Sequence, residues 1–135
     1  MFTIYHDLQI GAPAGLVFSA VSTPAGLNTW WTRDASGQAE AGEIFRLYFG
    51  DGYDWRAEVV ACEPPHRFCL RMTSADEDWL GTSVSFDLRG SGTATRLRFE
   101  HAGWAEASDH FRQSSFCWAT YLETMKRQLE RAASG

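Results

Sequence analysis

At 135 residues the chain has a one-domain length, long enough to enclose a core. Its 44% hydrophobic and 21% charged residues exclude the disordered and fibrous classes. A net charge of −5 with scattered basic residues excludes nucleic acid as a natural partner.

The first nine-residue alternation, Phe2 to Ile10, puts Phe2, Ile4, His6, Leu8 and Ile10 on one face. It reads as a strand and not as a signal peptide. No apolar run approaches the roughly 18 residues of a membrane span, so a cytoplasmic location is expected. Pro13 suits the first turn of a helix that runs to about Val21, with Leu16, Val17, Ala20 and Val21 as its apolar side. Thr23-Pro24 signals a second short helix, which carries Leu27, Trp30 and Trp31. Adjacent on a helix, the two indoles diverge by about 100°, so only one is expected to face the core fully.

Alternation returns after Gly37. Phe45, Leu47 and Phe49 share a face before the Gly50-Asp51-Gly52 turn. Trp55, Ala57, Val59 and Ala61 share one on the next strand, which Pro64-Pro65 ends. Phe68, Leu70 and Met72 follow, and then the polar loop Ser74 to Asp78. Thr82, Val84, Phe86 and Leu88 alternate up to a turn at Gly90-Ser91-Gly92, and Thr95, Leu97, Phe99 and His101 return.

From about Ala105 to Ala133 there is neither Gly nor Pro, and Phe111, Ser115, Trp118, Leu122, Met125, Leu129 and Ala132 mark one side of a long amphipathic helix. The expectation is a single α+β domain of the helix-grip type: a curved antiparallel sheet of six to seven strands wrapped around the C-terminal helix, with two short helices after strand 1. A sheet so curved leaves space beneath the helix for a ligand.

These pieces also carry a likeness. Ile10-x-Ala12-Pro13-x-x-x-Val17-Phe18, Thr23-x-x-x-Leu27-x-x-Trp30-Trp31, Glu63-Pro64-Pro65-x-Arg67, and Thr95-x-Leu97-x-Phe99-x-His101-x-Gly103-Trp104, followed by Trp118 and Leu122, resemble the START-like, birch-pollen-allergen-like (SRPBCC) superfamily. Within it the chain is most similar to the branch of homologues of the activator of the 90-kDa heat-shock protein's ATPase. The resemblance implies the helix-grip fold and a cavity between sheet and long helix. It does not imply one activity, because members include binders of lipids or hydrophobic metabolites, aromatic cyclases and the co-chaperone itself. The eukaryotic-type co-chaperone carries a further domain for which this chain has no room.

Three functional readings follow. The first is a binder of a small hydrophobic or amphipathic molecule, walled by Trp30, Trp31, Phe45, Phe49, Trp55, Leu70, Met72, Phe86, Phe99, Trp118 and Met125, with His6 and His101 as the polar contacts. The second is a cyclase- or dehydratase-type enzyme using His101, or His6, as acid or base. The third is a chaperone-associated module with a protein partner. His101 either looks into the cavity or is a strand-end histidine bonded to a nearby carbonyl. Trp104 is a further candidate for the pocket or its mouth.

Other motifs point away from catalysis. Asp76, Glu77 and Asp78 read as a solvated loop. Ser114 and Ser115 lack a nucleophile elbow, and Gly90-x-Gly92 is a hairpin and not a phosphate loop. Cys62, Cys69 and Cys117 lack CxxC spacing and read as free thiols, with a Cys62–Cys69 bridge or a site with His66 as alternatives. No metal or cofactor is expected.

Overall fold

The computed structural model describes residues 1–134. In chain order it contains β1 (Phe2–Ile10), α1 (Ala14–Ser22), α2 (Pro24–Trp30), β2 (Asp34–Ser36), β3 (Ile44–Gly50), β4 (Tyr53–Glu63), β5 (Arg67–Ser74), β6 (Ser83–Ser91), β7 (Ala94–Trp104) and α3 (Asp109–Ser134). The strands form one curved, open antiparallel sheet in the order β1-β7-β6-β5-β4-β3-β2. The first strand therefore pairs with the last, and α3 lies along β1 and α2. This is the expected helix-grip arrangement.

α1 and α2 meet at a tight corner. Thr23 Oγ1 accepts from Gly26 N at 3.0 Å and donates to Ser19 O at 2.7 Å, so one hydroxyl caps α2 and closes α1. A Cβ on Gly26 would overlap Ser19 O and stand 2.7 Å from Ala20 Cα, so only glycine allows this approach. Phe18, not the expected Leu16, joins Val17, Ala20 and Val21 on the buried side of α1, with its ring 6.3 Å from Phe68. Leu16 is exposed.

α3 begins a turn later than expected, because Ser108 Oγ accepts from Phe111 N at 3.2 Å and caps it. β2 has only three residues and one buried side chain, Ala35.

Two bulges reverse the inside–outside alternation. Val59 pairs with Leu70 and Ala61 with Cys69, so Val60 is an extra residue. Beyond it Cys62, opposite Phe68, takes the inner face that alternation assigns to Ala61. Likewise Ala102 pairs with Thr3 and Trp104 with Phe2, leaving Gly103 extra at φ 93°. That residue turns Trp104 inward, where it is buried beside His101.

Cys62, Cys69 and Cys117 are free thiols, with no Cys62–Cys69 bridge. Burial pushes the thiols of Cys62 and Cys69 up from their ordinary range. No helix among the described residues is long and apolar enough to cross a membrane.

Candidate functional site

Five aromatic side chains close a ring at one end of the groove between α3 and the sheet. Trp31 packs on Phe49 at 5.4 Å between centroids, Phe49 on Trp55 at 5.2 Å, and Trp55 on Trp79 at 5.0 Å. Trp79 stacks on Trp118 at 5.9 Å, and Trp118 returns to Trp31 at 4.9 Å. These spacings are those of mutually favourable ring pairs. The five come from the end of α2, from β3 and β4, from the loop before β6, and from α3. They line a cavity of about 250 Å³, with the exposed rings of Tyr53 and Tyr121 at its rim.

α3 forms the rest of the wall. His110, Gln113, Ser114, Cys117 and Tyr121 all line the cavity, at spacings of i, i+3, i+4, i+7 and i+11. They form a polar stripe beside the apolar one whose Trp118, Leu122 and Met125 are buried against the sheet.

Of the residues expected as walls, Trp31, Phe49, Trp55 and Trp118 are brought together here. Trp30 sits behind Trp31 at 6.0 Å and donates its indole N–H to Ala20 O at 2.9 Å. Both indoles are buried, contrary to the expectation for adjacent helical residues: α2 ends at Trp30, and Trp31 follows with a non-helical φ of −124°. Phe45, Leu70, Met72, Phe86, Phe99 and Met125 are each 1% exposed or less and lie in the packed core, off the cavity wall. The hollow in which they were expected to line a cavity is filled by α1 and α2, whose Phe18 and Trp30 reach Phe68 and Phe86.

His101 is also off the wall, fully buried behind Trp79 and Trp118. The Trp118 indole N–H donates to its Nδ1 at 3.0 Å, and its Nε2 lies 2.8 Å from Thr82 Oγ1. An Nδ1 that accepts requires the proton on Nε2, so Nε2–H donates to Thr82, whose own hydroxyl donates to Trp79 O at 2.6 Å. Its partners are thus a hydroxyl and an indole, neither the cavity nor a carbonyl. Burial, with a smaller contribution from nearby His110, pulls its pKa from 6.5 to about 3.

His6 engages different partners. Its Nε2 donates to Ser115 O at 3.1 Å, tying β1 to α3. It pairs across the sheet with Phe99, whereas His101 pairs with Ile4, and the two imidazoles serve separate contacts. Trp104 does not line the cavity, and its Nε1 has no partner among the described residues.

Trp79 escaped the sequence reading because it follows the acidic run Asp76-Glu77-Asp78. Yet it is only 7% exposed, and its indole N–H donates to Ser114 Oγ at 3.3 Å. The same turn places Asp78 Oδ2 2.6 Å from His110 Nδ1. The polar stripe on α3 is present in the sequence as the same helical spacing set one position before the apolar stripe.

The family model described as Activator of Hsp90 ATPase homolog 1-like protein matches residues 11–130. The solution structure of the Aha1 dimer from Colwellia psychrerythraea is similar at 31% identity, covering 96% of this chain and 97% of that one, with a TM-score of 0.86. Two further structures share the fold. Protein MLL2253 from Mesorhizobium loti is 22% identical over 96% of this chain and 98% of its own, with a TM-score of 0.84. Bacillus halodurans protein BH1534 is 23% identical over 96% and 98%, with a TM-score of 0.79. No curated protein matches the sequence.

Proposed function

Because this chain belongs to the family of Activator of Hsp90 ATPase homolog 1-like proteins, whose fold is compatible with ligand binding, we propose that it binds a small hydrophobic or amphipathic molecule in the cavity lined by Trp31, Phe49, Trp55, Trp79 and Trp118. The observation that supports this reading is that Trp31, Phe49, Trp55, Trp79 and Trp118 pack on one another and together line a cavity of about 250 Å³. Apolar walls with a few polar groups are what small-molecule sites use.

The size selects the ligand class. An engineered apolar cavity of about 150 Å³ holds benzene, whereas drug-sized ligands occupy roughly 300–1,000 Å³. At about 250 Å³ the cavity suits one or two fused rings. Nothing in this reading assigns proton transfer to His101, whose two nitrogens are both engaged inside the core.

The test uses the ring itself. Titration with naphthalene or indane is expected to quench intrinsic tryptophan fluorescence saturably and to raise the melting temperature. Ligand at 100 times its dissociation constant adds about 2.7 kcal/mol of stability. Trp55→Ala, which removes a lining ring at a half-buried position, is expected to abolish both signals. A folded wild-type protein that shows neither quenching nor a thermal shift with any one- or two-ring probe overturns the reading.

A further inference from the structure

The cavity has an uneven chemistry. Two of its four indole N–H groups are engaged by protein: Trp79 donates to Ser114, and Trp118 donates to His101. What these two indoles present is therefore ring, not hydrogen-bonding edge. α3 contributes His110, Gln113 and Ser114 to the lining, and one of these is held by a second residue. His110 lines the cavity, and its Nδ1 is held by Asp78 Oδ2 at 2.6 Å from the loop that also delivers Trp79.

A carboxylate against Nδ1 keeps a proton on that nitrogen. In the neutral ring Nε2 then carries the lone pair, and among the described residues no protein group bonds to it. Where the imidazole is neutral, the pair offers an acceptor on a cavity-lining residue whose side chain is 38% exposed. An O–H donor on the ligand would satisfy it, whereas an ether of the same shape would not.

We propose that the Asp78–His110 pair makes this cavity selective for hydroxylated aromatic molecules of the phenol and naphthol class, the ligand hydroxyl donating to His110 Nε2. The inference rests on the aromatic ring being a binding site and adds the chemical class of what enters it. Gln113, one turn along the same stripe, adds a side-chain amide on the same side of the ligand.

The experiment compares 2-naphthol with 2-methoxynaphthalene by tryptophan quenching in the wild-type protein, in His110→Leu and in Asp78→Asn. One hydrogen bond to an oriented acceptor predicts about tenfold tighter binding of the naphthol by wild type. The ratio of the two affinities is expected to fall to about one in His110→Leu and to an intermediate value in Asp78→Asn, which keeps the imidazole and removes the charge. Equal affinities in wild type, or a ratio that His110→Leu leaves unchanged, overturn this inference while the cavity reading stands. Failure of both probes to bind folded wild-type protein overturns the two together.

Discussion

The indole N–H of Trp118 meets Nδ1 of His101 across 3.0 Å, joining the middle of α3 to β7 inside the core. Each residue satisfies the other's buried polar atom. The contact also fixes the imidazole tautomer, which in turn fixes the Thr82 hydroxyl and the carbonyl of Trp79. A single chain of three hydrogen bonds thus runs from the long helix to the loop that completes the cavity.

This chain makes stability depend on pH. With a folded pKa of about 3 against an ordinary 6.5, His101 binds its proton in the unfolded chain first. Between those values the unfolded state holds more protons, so stability falls as pH falls, by at most about 1.4 kcal/mol per pH unit from this residue. Urea unfolding between pH 7 and pH 5, above the range where carboxylates titrate, is expected to show this slope in wild type. In His101→Gln the slope is expected to be largely gone. Parallel profiles for the two proteins would remove the linkage.

Replacing Trp118 by Phe keeps most of the ring packing and deletes the donor. His101 Nδ1 is left buried without a partner, at a cost of about 1–3 kcal/mol in the urea-derived stability. The loss belongs to the pair, so in a double-mutant cycle with His101→Leu the two costs are expected to be non-additive by more than about 0.5 kcal/mol. Strict additivity would mean that the hydrogen bond contributes nothing.

Gly26→Ala drives a methyl group into the backbone of Ser19 and Ala20. Since backbone cannot swing aside as a side chain does, the α1–α2 corner must open, which is expected to cost about 1–3 kcal/mol and lower the melting temperature. Gly15→Ala, where the added Cβ meets nothing within 4 Å, is the control and is expected to be neutral or slightly stabilising.

Cys117 is exposed on the polar stripe and lines the cavity. Cys117→Phe is expected to occupy the slot, abolishing naphthalene quenching while changing stability by no more than about 0.5 kcal/mol, as substitutions at exposed sites usually do. Unaltered quenching in this variant would place the bound probe elsewhere.

The strands with long alternations and the apolar stripe of α3 were legible because burial on one face imposes a period of two or of about 3.6. β1 matches its pattern from Ile4 to Ile10, while Phe2, beyond the bulge at Gly103, is exposed. What escaped reading has identifiable causes. β2 is too short for a period and buries only Ala35. The bulges at Val60 and Gly103 depend on strand pairing, which one strand's sequence does not contain, and each moves a side chain across the sheet.

For the site, Trp31, Phe49, Trp55 and Trp118 were named from the sequence, and the structure assembles them. The inward parity of His101 holds in the structure, but parity says nothing of depth. Trp79 and His110 come together only because the acidic loop folds back onto the start of α3.

α3 advances about 100° per residue, and its two stripes are centred about one such step apart. Leu122 and Met125 anchor the helix, whereas His110, Gln113, Cys117 and Tyr121 face the slot while remaining at least partly in solvent. The two sectors meet at Ser114 and Trp118, which are buried and also line the cavity. If the slot binds as proposed, exposed positions of the second sector such as Gln113 and Cys117 are where substitution is expected to change its ligand preference with least effect on the buried anchors.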